Sequence, residues 1–231
     1  MSQATTTATE KSKVKREIVF DPKRDAAVRE KIITARIALL LKAPFFGNLA
    51  TRLQLVNADD WCTTAATDGR NFYYCTEFIE KLPSKQLEFL VGHEVLHVVY
   101  DHMGRRQDRH PKISNIAADF CVNSDLIDQK VGERINIVPL LYDPKYRGMS
   151  YEEVYDHLMK NVKEVDMDQL IDMLLDEHLD GNGDGDDDGD GDKDGKGRPK
   201  LTEEEKQQIR DEIREAVLQA CLLYTSPSPR D

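Results

Sequence analysis

The sequence predicts a mainly helical α+β domain with a small β-sheet or hairpin, and a central helix that carries His93-Glu94-Val95-Leu96-His97. Three observations predict it. Apolar residues recur at helical spacing over residues 25–41, 84–103 and 114–129. Three short runs, 52–56, 62–66 and 71–75, read as strands. Asp68-Gly69 lies between the last two and is a hairpin signal.

The first helix rests on Ala26, Val28, Ile32, Ile33, Ile37 and Leu40, and Pro44-Phe45-Phe46-Gly47 stops it. Pro83-Ser84 opens the central helix, which is expected to run to Met103 and end at Gly104. A polar loop over 105–111 leads to the helix of 114–129. Residues 135–142 read as extended. Ser150 and Glu153 form a capping box that starts a helix to about Asn161, and 167–179 read as a further short helix. Thr202 and Glu205 form a second box, opening a helix to Ala220.

The chain of 231 residues therefore divides into a disordered tail over 1–24, a domain over 25–179, a linker over 180–200 and the first helix of a truncated region over 201–220. The linker holds eight Asp against three Lys and one Arg. Its spacing resembles the opening of a calcium loop, but Gly191 stands where that loop needs Glu, so it reads as a solvated spacer. Residues 221–231 resemble, codon for codon, one translated frame of a transposase-type sequencing adapter, and the natural chain is expected to continue past Ala220.

Net charge −11 argues against nucleic-acid phosphate as a partner, and the Lys11–Arg16 cluster is too short to reverse that. No apolar run is long enough to span a bilayer. Cys62, Cys75, Cys121 and Cys221 form no CxxC pair, so free thiols in a cytoplasmic setting are expected.

Two histidines four residues apart on a helix stand about 40° apart in azimuth and about 6 Å apart along the axis. Both can then reach one metal ion. Glu94 sits one step round from His93, where a carboxylate can take a proton from a metal-bound water. The flanks Phe89-Leu90-Val91-Gly92 and Val98-Val99 embed the pattern in core. A third ligand is needed. If the helix runs unbroken to Met103, His102 points roughly 180° away from His93. Asp101 lies nearer the histidine face and is a candidate for supporting it. Asn115, Asp119 and Asn123 form one polar stripe on the next helix, which favours Asp119 over His102 as the third ligand.

Further segments join this pattern: Pro44 to Gly47, Thr64 to Gly69, Phe78-Ile79, His102 with Arg105, Asn115 to Asp119 with Asn123, and Tyr142 to Gly148 running into Glu153-Val154-Tyr155. As a set, over about residues 28–180, they resemble the metallopeptidase domain of bacteria and phages that is commonly followed by a von Willebrand factor type A-like domain. The resemblance implies a zincin-like fold and Zn2+ as cofactor. It carries over His93, Glu94 and His97, and marks His102, Asp119 and Asn123 as positions of the pattern. It also implies that the type A-like domain would follow.

The expectation is a zinc-dependent metallohydrolase acting on a peptide or protein substrate in the cytoplasm, with Glu94 catalytic and His93, His97 and Asp119 on the metal. The rivals are a non-catalytic metal-stabilised scaffold acting with the type A-like domain and an AAA+ ATPase partner, and a metal-free structural domain. Two details go with the first. The strand 62–66 is a place for a peptide to add as an extra strand. Tyr142 or Tyr146 is a candidate donor to an oxyanion.

Overall fold

The computed structural model describes residues 20–161, 169–170, 174 and 201–225. The expectations for the tail before Phe20, for most of the 167–179 helix and for the 180–200 linker lie outside these residues.

Helix α1 (Pro22–Lys42) starts earlier than its apolar pattern, because Asp21 caps it by accepting from the backbone of Lys23 and Arg24 and Pro22 takes the first turn. It buries Val28, Ile32, Ala35 and Leu39, a single stripe at helical spacing. Ile33, Ile37 and Leu40, which the sequence pattern counted with that stripe, stay exposed. The Pro44–Gly47 stop does end α1, but Pro44 then opens a second helix, α2 (Pro44–Arg52), folded back on the first. Gly47 allows this. A Cβ there would lie 2.3 Å from the Leu40 amide nitrogen and 2.5 Å from its Cα.

Three strands follow: β1 (Gln54–Asn57), β2 (Ala65–Thr67) and β3 (Asn71–Tyr74), in the order β1-β3-β2. β1 runs parallel to β3, with Leu55 opposite Phe72. β2 pairs antiparallel with β3, with Ala66 opposite Tyr73. The expected Asp68-Gly69 turn joins that hairpin. Asp68 accepts from the amides of Arg70 and Asn71, and Gly69 takes φ +90. β2 is one of the two edge strands, yet all three of its residues are buried, and it packs on the central helix.

After the short α3 (Thr76–Lys81), the central helix α4 (Ser84–Val99) fills the middle of the core. Thirteen of its sixteen residues are buried, from Gln86 to Val98. It stops four residues before the expected end. Asp101 adopts a left-handed conformation, φ 51 and ψ 43, and its side chain accepts from the Gly104 amide to start α5 (His102–Arg105). Asp tolerates this region because its short polar side chain bonds locally.

Helix α6 (Pro111–Gln129) packs on α4, and α7 (Tyr151–Lys160) on α6, opened by the expected Ser150–Glu153 box. Residues 135–142, expected to be extended, pair with no strand; Ile135, Leu140 and Leu141 instead anchor a loop in the core. Helix α8 (Glu203–Thr225) opens at the expected Thr202–Glu205 box and runs five residues past Ala220. Rather than standing apart, it lies on α2 and α4. It buries Ile209, Ala216 and Ala220, and Glu212 takes both Nε and Nη2 of Arg70. Cys62, Cys75, Cys121 and Cys221 form no disulfide. Among the described residues, no helix is long and apolar enough to cross a membrane.

The α1–α2 approach yields a test. Gly47→Ala forces a methyl group into the Leu40 backbone, and overpacking of this kind costs about 1–3 kcal/mol. Urea unfolding should show a lower midpoint with an unchanged slope. An unchanged midpoint would mean that the two helices do not meet as described.

Candidate metal centre

Helix α4 delivers His93, Glu94 and His97 to the core, with exposures of 0, 0 and 3 %. Helix α6 comes close to α4 beside them. At Gly92, directly before His93, an added Cβ would lie 3.0 Å from Leu126 and 3.1 Å from Val131. Two turns before Leu126, α6 presents Asp119, also fully buried.

These side chains converge. The Nε2 atoms of His93 and His97 are 3.0 Å apart. Asp119 Oδ1 lies 3.5 Å from His97 Nε2 and 3.8 Å from His93 Nε2. Ligands about 2.0–2.1 Å from a tetrahedral ion stand about 3.3–3.4 Å from one another. The three separations bracket that edge. Among the described residues, this is the one group of three or more His, Cys, Asp or Glu placed to hold a metal ion.

The neighbours orient His93. Asn123 Nδ2 donates to the Leu141 carbonyl at 3.1 Å, which turns the Asn123 Oδ1 toward His93 Nδ1 at 3.0 Å. The proton of His93 is therefore on Nδ1, and the Nε2 lone pair faces the cluster. Asn123 thus acts on a histidine, while Asn115 of the same stripe is only half-buried.

His102 is where the structure departs most from expectation. The left-handed turn at Asp101 swings it back beside α4, so it does not point away from His93. Its Nδ1 lies 3.0 Å from Nδ1 of His97. Nothing in the 93–103 periodicity signals this. An Asp three residues before a Gly, with the pattern of an N-cap, was the available cue. Asp101 itself serves as that cap and bonds to Gly104, not to a cluster histidine. Two further residues escaped the sequence reading, Tyr151 and Ser114. The Tyr151 ring lies 5.2 Å from that of His102, and its hydroxyl bonds to the Ser114 hydroxyl. The tyrosines singled out earlier go elsewhere: the Tyr146 hydroxyl meets His157 Nδ1, and the Tyr142 ring lies under Arg134.

Glu94 supplies the electrostatic argument. Both carboxylate oxygens are buried without a hydrogen-bond partner among the described residues. Burial pushes its pKa well above the usual carboxylate range, and the Asp119 charge pushes it further. A divalent cation held at the His93–His97–Asp119 triangle would compensate two carboxylates buried this close together. The donor set of two imidazoles and a carboxylate suits such an ion.

The mainly helical α+β fold gathers two histidines and an aspartate in its core, a group that could hold a metal ion. The chain matches the family described as "Putative metallopeptidase domain" over residues 28–220 and belongs to it. The match includes α8, beyond the expected domain end at 179. No curated protein and no solved structure matches the chain.

The Glu94 shift predicts a pH dependence for the metal-free protein. A carboxylate whose folded pKa is raised contributes stability at low pH and loses it as pH rises through the folded value. In chelator, Glu94→Gln should therefore be more stable than wild type at pH 8, on the order of 2 kcal/mol. The difference should shrink toward pH 5, as followed by urea unfolding. Equal stability of the two proteins at every pH would contradict the unpartnered burial of Glu94.

Proposed function

We propose that this chain is a zinc-dependent peptidase of the HExxH type, with Glu94 as general base. The observation that carries the reading is Glu94 itself, a buried carboxylate without a hydrogen-bond partner, on the same helical turn as two converging histidines and facing Asp119. His93 and His97 through Nε2, and Asp119 through Oδ1, would hold the ion, a three-residue set that leaves a position open. Zinc bound there would supply Lewis acidity, bringing the pKa of a water to about 7 and polarising a scissile carbonyl.

The protein's own groups do the rest. Glu94 takes a proton at a carboxylate oxygen and returns it to the departing amine. A carboxylate suits both halves of that task, because the acid formed in the first step is the donor in the second. Asn123 keeps the His93 lone pair on the cluster side. The family description, "Putative metallopeptidase domain", supports peptide as the substrate class.

One observation favours a second reading. His93, Glu94 and Asp119 have no exposed surface, so this conformation is closed to a peptide. A metal-stabilised scaffold that works through a type A-like domain and an AAA+ ATPase partner would look the same.

Zinc analysis and hydrolysis together separate the two. Wild type should carry about one zinc per chain and His93→Ala none. Glu94→Gln should keep its zinc and lose about 10²–10⁴-fold in peptide hydrolysis. Zinc retained by His93→Ala would sink both readings. Zinc with no hydrolysis that depends on Glu94 would leave the scaffold.

A further inference from the structure

We propose that His102 is a positioning residue for His97. It accepts a hydrogen bond from the His97 Nδ1–H and so keeps the His97 Nε2 lone pair on the metal side. The inference rests on the zinc-site reading above.

The geometry of His97 carries the argument. Its two ring nitrogens face two different neighbours. Nε2 is 3.0 Å from His93 Nε2 and 3.5 Å from Asp119 Oδ1. Nδ1 is 3.0 Å from His102 Nδ1. The two nitrogens point to opposite sides of an imidazole ring, so the His97 ring stands between His102 and the cluster. If Nε2 binds metal as a lone pair, the proton of the neutral ring is on Nδ1. A neutral His102 with its own proton on Nε2 then offers an Nδ1 lone pair to receive it. His93 receives the matching support from Asn123, so each metal histidine has its own acceptor.

His102 is held for this role from three sides. The left-handed Asp101 breaks α4 and turns the chain so that His102 returns toward His97. Arg105, one turn on, makes two hydrogen bonds to Glu152 at the start of α7. Tyr151 lies against the His102 ring, with its hydroxyl tied to Ser114 of α6. His102 is 5 % exposed. A residue kept only to fill space needs no such alignment of one nitrogen on another.

Zinc affinity, measured by competition with a chromophoric chelator, tests this, together with the absorption spectrum of the cobalt-loaded protein. Phe keeps the ring and removes the acceptor. Asn removes the ring but places Oδ1 where His carries Nδ1. His102→Phe should bind zinc about 10–100-fold more weakly than wild type, and His102→Asn should recover most of that loss. Both should keep the wild-type cobalt band pattern, because the ligands are unchanged. A packing role predicts the reverse order, with Phe tolerated and Asn not, and would overturn the proposal. Loss of stoichiometric binding in both variants with an altered cobalt spectrum would make His102 a ligand, which also overturns it. If His102→Phe does not fold, as judged by circular dichroism in chelator, His102→Leu takes its place in the same comparison. Wild type and His93→Ala are measured alongside. If wild type binds no zinc, the zinc-site reading and this proposal fall together. If wild type binds zinc and His102→Phe binds it equally well, only this proposal falls.

Discussion

Glu94 and Asp119 place two carboxylates in one dry region of the core, and most of what surrounds them makes that tolerable. A buried carboxylate is costly alone, and a second beside it raises the cost of ionising either. Nitrogen atoms aimed inward from α4 face them, and a cation held there would compensate both. The helices must then be held closely enough for those atoms to meet. Gly92 lets Leu126 and Val131 approach α4, which sets the spacing that brings Asp119 within 3.8 Å of both Nε2 atoms. Asn123 and the Leu141 carbonyl extend the same restraint into the loop before α7.

The parts of this site that depend on local geometry could be read from the sequence. Histidines four residues apart on a helix must share a face, and an apolar setting on both sides puts that face in the core. The every-fourth-residue stripe on α6 was equally readable, and two of its three members, Asp119 and Asn123, lie against the histidines. The end of α4 was not readable in the same way. One residue, Asp101, chooses between continuing a helix and capping the next, and the two outcomes differ by little locally. That choice alone moves His102 from the far side of the helix to the near side.

Elsewhere the failures share a cause. Helix α1 carries two apolar stripes, and its packing on α2, α3 and α4 decides which is buried. The apolar run of 135–142 reads as extended, but it pairs with no strand of the three-stranded sheet. Helix α8 shows an apolar stripe at Ile209, Ile213, Ala216 and Ala220, but the sequence does not say which surface that stripe meets; Ile209, Ala216 and Ala220 are buried and Glu212 reaches Arg70. Each case is settled by contacts between segments far apart in the chain, where propensity is a weak guide.

The closed state of the centre has a consequence for rates as well as for recognition. With His93, Glu94 and Asp119 at zero exposure, a ligand that reaches them binds some other member of the ensemble. Its apparent affinity is the intrinsic affinity scaled by the fraction of molecules in that member, so a population of ~1 % weakens binding about a hundredfold. Turnover cannot exceed the frequency of opening. Metal exchange would be subject to the same bound, because an ion leaving the triangle would need the same breach as a substrate entering it. Slow metal loss and slow catalysis would then share one motion and one temperature dependence.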